Sequence, residues 1–180
     1  GVPYRADSLR TLFLDAPSSD FYAALQLLVY PEDRTAYATL LRGPIVGLRD
    51  PALIRVLTTA EPPFAQSDGL SGEDARRYEL GRRRYAELAD LSGAGSIASL
   101  IYHIWYRWGY RYLVLRRPDL HAYVEYFEYL MELARTYEPY GLPRFLDEVR
   151  RRLGANEKIE EIEIHHRLEA GVQLMTIHKS

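Results

Sequence analysis

Between Phe21 and Pro31 the apolar residues Phe21, Leu25, Leu28 and Val29 recur at the spacing of one helical face. Ser18, Ser19 or Asp20 can cap its start and Pro31 ends it. A short helix follows from about Asp33 to Arg42 and stops at Gly43-Pro44. Asp50-Pro51 places an N-cap carboxylate before a first-turn proline and predicts a helix to about Thr58. Glu61 to Gly69, rich in Pro and Gly, reads as loop. Ser71-Gly72-Glu73-Asp74 has capping-box spacing and opens a helix to about Leu91. Ser92-Gly93-Ala94-Gly95 breaks the chain; a helix from Ser96 runs to Gly109, and Pro118-Asp119 launches a long one to about Glu138. That helix carries Tyr123, Phe127, Leu130, Ala134 and Tyr137 on one face, and Leu142-Pro143 starts a last helix that closes at Gly154. Beyond it the period shortens. Ile159, Ile162 and Ile164 lead to His165, then Val172, Leu174 and Thr176 alternate around a turn at 167–171. The expected fold is mainly α, with short β-strand segments at both ends and no internal repeat.

Composition narrows the function classes. The 180 residues suffice for one domain with a substantial core, and 47% hydrophobic and 27% charged residues are ordinary globular values. There is no cysteine, hence no disulfide framework, thiolate metal site or thiol nucleophile. A net charge of −2, from 23 Lys+Arg against 25 Asp+Glu, argues against coating nucleic acid by bulk charge. Locally the balance differs: residues 71–120 hold 9 basic and 6 acidic side chains, a net of +3, the only positive stretch. No run reaches the ~20 apolar residues of a membrane span, and Gly1-Val2-Pro3-Tyr4-Arg5 has no signal-peptide pattern. Both ends read as cuts inside a longer protein. Of the basic residues 21 are Arg, and there are 15 Tyr; neither count names a function.

Common catalytic signatures are missing from the sequence: G-x-x-x-x-G-K-[ST], H-E-x-x-H and G-x-S-x-G. Gly93-Ala94-Gly95 reads as a helix-breaking linker rather than a phosphate loop. His165 and His166 would point to opposite faces of a strand, which suits no single metal. The run Glu160, Glu161 and Glu163 reads as a solvated edge. A self-contained enzyme is not expected.

The two ends carry a resemblance. Gly1-Val2-Pro3-Tyr4-Arg5 resembles the "GIPYR" strand of UvrD/RecB-like superfamily 1 DNA helicases, and V-Q-L-M-T-I-H-K-S at 172–180 resembles the start of their helicase motif V. Between them, Phe21 to Pro31 resembles the "LLAYLRLLxNP" helix, and Thr39-Leu40-Leu41-Arg42-Gly43-Pro44 with Gly47-Leu48-Arg49-Asp50 resembles "LRSPLFGLSD". Ile104-Trp105 with Gly109-Tyr110, and Leu133 to Glu138, are similar to stretches of the AddA/RecB helicase–nuclease branch. The resemblance implies a helical 2B-type subdomain at 7–155. It would be inserted between a strand remnant of the second RecA-like domain at 1–6 and a β-hairpin remnant at 156–180. Where UvrD-type helicases carry R-G-I-G-D, this chain has Val46-Gly47-Leu48-Arg49-Asp50, so Arg49 replaces a glycine of the loop.

From the resemblance follow the candidate residues. Thr176, His178 and Lys179 would contact single-stranded DNA, and Arg42, Gly47 and Arg49 would face the duplex. The bland alternative for the loop is a helix-to-helix turn in which Gly43 and Gly47 supply special backbone angles and both arginines are solvated. No catalytic residue and no metal or cofactor site is expected in this chain. ATP and Mg2+ would act in the parent's other domains, with DNA at a single-strand/duplex junction as partner, a second subunit of a helicase–nuclease complex possible, no membrane, and a cytoplasmic location. The other class open is a helical protein–protein module with little DNA contact. Two further groups invite function but read more simply as structure. Arg76, Arg77, Arg82, Arg83 and Arg84 lie among Glu73, Glu79 and Glu87 at salt-bridge spacing. Tyr102, Trp105 and Tyr106 form a stripe expected to pack the core, with Tyr110 and Tyr112 left open.

Overall fold

The computed structural model describes residues 16–59, 63–65, 69–117 and 122–154. Among them the chain is mainly helical, and no strand is present. The strand segments expected at 1–6 and 156–180 lie outside the described residues.

The first helix, α1 (Ala16–Val29), is the centre of the molecule. Phe21, Ala23, Ala24, Leu25 and Leu27 are each at most 3% exposed, so the helix is hidden on more than one face. It packs against α2 (Arg34–Arg42), α4 (Gly72–Ser92) and α8 (Gly141–Gly154). An apolar helix surrounded in this way needs no polar stripe. Its start lies earlier than the expected 18–20: Pro17 is tolerated in a first turn, where no N–H is required. Asp20 is therefore an interior helical residue, not a cap.

α2 begins as predicted, with the Asp33 carboxylate accepting from the Ala36 N–H at 2.9 Å. α3 (Asp50–Thr59) and α4 follow. The capping box expected at Ser71 is not formed, since the Ser71 side chain makes no cap bond; Glu73 and Asp74 bind arginines instead. Between α3 and α4, Phe64 (φ 57°) is wedged among the rings of Tyr37, Tyr78 and Tyr85. The Tyr37 hydroxyl accepts from the Phe64 N–H at 2.9 Å, and the Tyr78 hydroxyl donates to the Ala65 carbonyl at 2.6 Å.

The second half of the core forms around Trp105. α5 (Ile97–Tyr102), capped by the Ser96 side chain, widens into a π-helical turn over His103–Arg107. In that turn the sequence neighbours Ile104 and Trp105 are both fully buried, and Trp105 stacks on Phe127 with ring centres 4.5 Å apart. Tyr102 and Tyr106, expected in the core, instead stand 51% and 46% exposed. The straight-helix stripe fails because the π turn changes which positions share a face. Gly109 (φ 72°) then reverses the chain into α6 (Tyr110–Leu115), a helix not anticipated from the sequence. Its buried residues are only Tyr110 and Val114, one helical turn of signal. α7 (Ala122–Tyr137) and α8 close the body; the Glu138 carboxylate, in the short 3-10 turn between them, accepts from the Ile97 N–H at the start of α5.

Candidate nucleic-acid interface

The loop that resembles the duplex-facing segment joins α2 to α3 at residues 43–49. Gly43 has ordinary extended backbone but no room for a side chain: a Cβ there would collide with the Asp20 carboxylate. Gly47 sits at φ +79°, a conformation that L side chains rarely adopt. Between them Ile45, Val46 and Leu48 are at most 5% exposed. The Leu48 N–H donates to the Leu41 carbonyl at 2.9 Å, folding the loop back on α2.

One face of α4 clamps this loop. The Arg84 guanidinium donates to the Ile45 carbonyl and, at 3.2 Å, to the Trp108 carbonyl, while lying over the Trp108 ring. Burial holds its pKa below the usual guanidinium range. Arg77 donates to the Gly47 carbonyl at 2.5 Å. Gly81 lets the loop approach α4 closely, since a Cβ at that position would meet Val46 and Phe64 at 2.7 and 2.9 Å. Arg49 donates through Nε and Nη2 to Oδ2 of the buried Asp74, at 3.0 and 2.6 Å. Those bonds hold the Asp74 carboxyl below the ordinary carboxylate range.

Of the predicted duplex-facing residues, Arg42, Gly47 and Arg49 thus lie on one short loop. Arg42 is exposed and 3.7 Å from Asp50; the outer part of Arg49 is also exposed, with Nη1 outside its bonds to Asp74. The surrounding field is nearly balanced. Arg42, Arg49, Arg76 and Arg77 face Asp50, Asp74 and Glu73, four positive charges against three negative. Thr176, His178 and Lys179 lie outside the described residues.

The arginine row on α4 divides. Arg76 and Arg77 pair with Glu73, and Arg82 with Glu79, as a solvated helix face would. Arg77 and Arg84 also bind loop carbonyls. Sequence reasoning did not single out Arg84 for that role, because its neighbours Arg82 and Arg83 are indistinguishable from it by spacing. It also missed Asp20, which is 3% exposed inside α1 and accepts a hydrogen bond from the Tyr110 hydroxyl at 2.7 Å. Burial pushes the Asp20 pKa up to about 7, against a smaller lowering by that bond.

Among the described residues no group of three or more His, Asp or Glu is arranged to hold a metal ion, and no helix is long and apolar enough to cross a membrane. No family model matches the chain, and neither a curated protein nor a solved structure matches it.

Proposed function

We propose that the chain is the helical 2B-type accessory subdomain of an ATP-dependent superfamily 1 DNA helicase, nearest in kind to the AddA/RecB helicase–nuclease subunits. The observation that carries this reading is the pairing of two terminal segments around one body. A "GIPYR"-like start and the V-Q-L-M-T-I-H-K-S end bracket residues 7–155, whose described part is helical. In this reading the parent moves 3′ to 5′ on single-stranded DNA during recombination and repair. The loop bearing Arg42, Gly47 and Arg49 faces the duplex ahead of the motor, and Thr176, His178 and Lys179 touch the strand behind it. ATP and Mg2+ belong to other domains of that parent in this reading; the G-x-x-x-x-G-K-[ST] pattern does not occur in this sequence.

A rigid, clamped loop supports the duplex role, because a preorganised surface loses little freedom on binding. The near-balance of charge around it favours a second reading, in which the same subdomain docks a partner subunit and hardly touches DNA. The family assignment is tested by sequencing the gene beyond both ends of this chain. Lys-Gly-Leu-Glu is expected directly after Ser180, with a G-x-x-x-x-G-K-[ST] loop encoded upstream. A reading frame that continues otherwise would remove the assignment.

A further inference from the structure

The compensated loop contrasts with the next face along the chain. From Leu91 to Pro118 the sequence holds four arginines, Arg107, Arg111, Arg116 and Arg117, and no Asp or Glu. Arg107 and Arg111 are exposed and make no ion pair among the described residues, whereas Arg42, Arg49, Arg76, Arg77, Arg82, Arg135 and Arg151 each face a carboxylate. Interleaved with these cations are exposed rings: Tyr102, Tyr106 and Tyr112, at 51%, 46% and 63%. The Tyr102 and Tyr106 rings lie 4.5 Å apart, and the Arg116 guanidinium lies over the Tyr112 ring. The elements that carry them are fixed from beneath. Trp105 is stacked on Phe127, Tyr110 is bonded to Asp20, and Arg84 holds the Trp108 carbonyl.

We propose that this arginine–tyrosine face, formed by α5, its π-helical turn and α6, binds single-stranded nucleic acid. The Arg107 and Arg111 guanidiniums attract a phosphate chain, and exposed rings offer planes on which unpaired bases stack, the combination that sequence-tolerant single-strand sites use. Duplex hides its base faces and would use only the cations. An acidic protein surface would satisfy the cations but gain less from rings already presented as flat platforms. The inference extends beyond the helicase reading and does not depend on it, since the rings and cations it assigns to the ligand lie between Tyr102 and Tyr112 and none belongs to the motif-like segments.

The test is fluorescence anisotropy of a labelled oligothymidylate of about 12 nucleotides, the scale of a single-strand site, with the full chain at low salt. Tyr112→Ala and Tyr102→Ala are each expected to weaken binding about tenfold, whereas Tyr112→Phe, which keeps the ring, retains it. Arg107→Gln combined with Arg111→Gln is expected to lower the salt slope by about 1.4, as for two lost phosphate contacts. Arg82→Gln on α4 serves as the control and leaves binding unchanged. Absence of oligothymidylate binding, binding indifferent to these changes, or equal affinity for blunt duplex would overturn the proposal. So would a dimer of the chain, or adhesion to anionic vesicles, that is lost in Tyr112→Ala while oligothymidylate still binds that variant normally. Forked DNA held through Arg42 and Arg49 alone would overturn this face but leave the helicase reading standing.

Discussion

Asp20 is the most buried carboxylate among the described residues, inside the central helix and facing the backbone of Gly43. With its pKa raised to about 7 by burial, it is neutral in the folded chain between about pH 4 and pH 7 but ionised in the unfolded chain. The folded state then binds the extra proton, so this group's contribution to stability is full below about pH 4, declines as pH rises, and is gone above about pH 7. The span corresponds to about 4 kcal/mol at most. The carboxyls lowered by partners, Glu73, Asp74 and Glu79, act in the opposite direction, supporting the fold above their ordinary pKa and losing that support in acid. Urea unfolding of Asp20→Asn against the natural chain isolates the effect: the variant's relative stability should climb from pH 4 to pH 7 and then level off. A difference independent of pH would contradict it. At this scale the sequence was only partly legible. Asp20 beside Ser18 and Ser19 has the composition of a cap, and no local pattern reveals that the helix starts earlier or that Tyr110, 90 positions away, supplies its partner.

At the scale of elements, α4 is both the solvated helix its glutamates promise and the clamp of the 43–49 loop. Gly81 separates these roles. In an ordinary helix interior Ala is more favourable than Gly by about 1 kcal/mol. Here the added methyl group would enter the space of Val46 and Phe64, an overpacking that costs about 1–3 kcal/mol. Gly81→Ala is therefore expected to lower the urea midpoint with an unchanged slope, and a raised midpoint would show that loop and helix are not in contact. The helices with strong periodicity and punctuation, α2, α3 and α8, and the end of α7, were readable in the sequence to within a few residues, while the expected α7 start at 118–119 lies outside the described residues. The π-helical turn and α6 were not. A single inserted residue shifts the face of every ring that follows, and α6 offers just Tyr110 and Val114 as apolar signal. The aromatic stripe consequently gave one core residue, Trp105, and two exposed ones.

For the whole molecule, a net charge of −2 sets the long-range field close to neutral, so any attraction for DNA is local and strongly salt-dependent. The loop at 43–49 has its shape fixed and its charges largely matched; on the α5–α6 face Arg107 and Arg111 have no ion pair among the described residues. Arg42 and Arg49 were legible as candidates because they stand next to glycines in a motif-like string. Their commitment to Asp50 and Asp74 was not, since Asp74 lies 25 positions from Arg49 and carried a capping signal of its own. The central claim, that this subdomain holds DNA at a single-strand/duplex junction, is tested most directly by titrating a labelled forked DNA against the chain at low salt. The same titration is then run with Arg42→Ala and Arg49→Ala. The account predicts saturable binding that prefers the fork to blunt duplex and weakens severalfold in each variant. No binding, or binding unchanged by both substitutions, would contradict it.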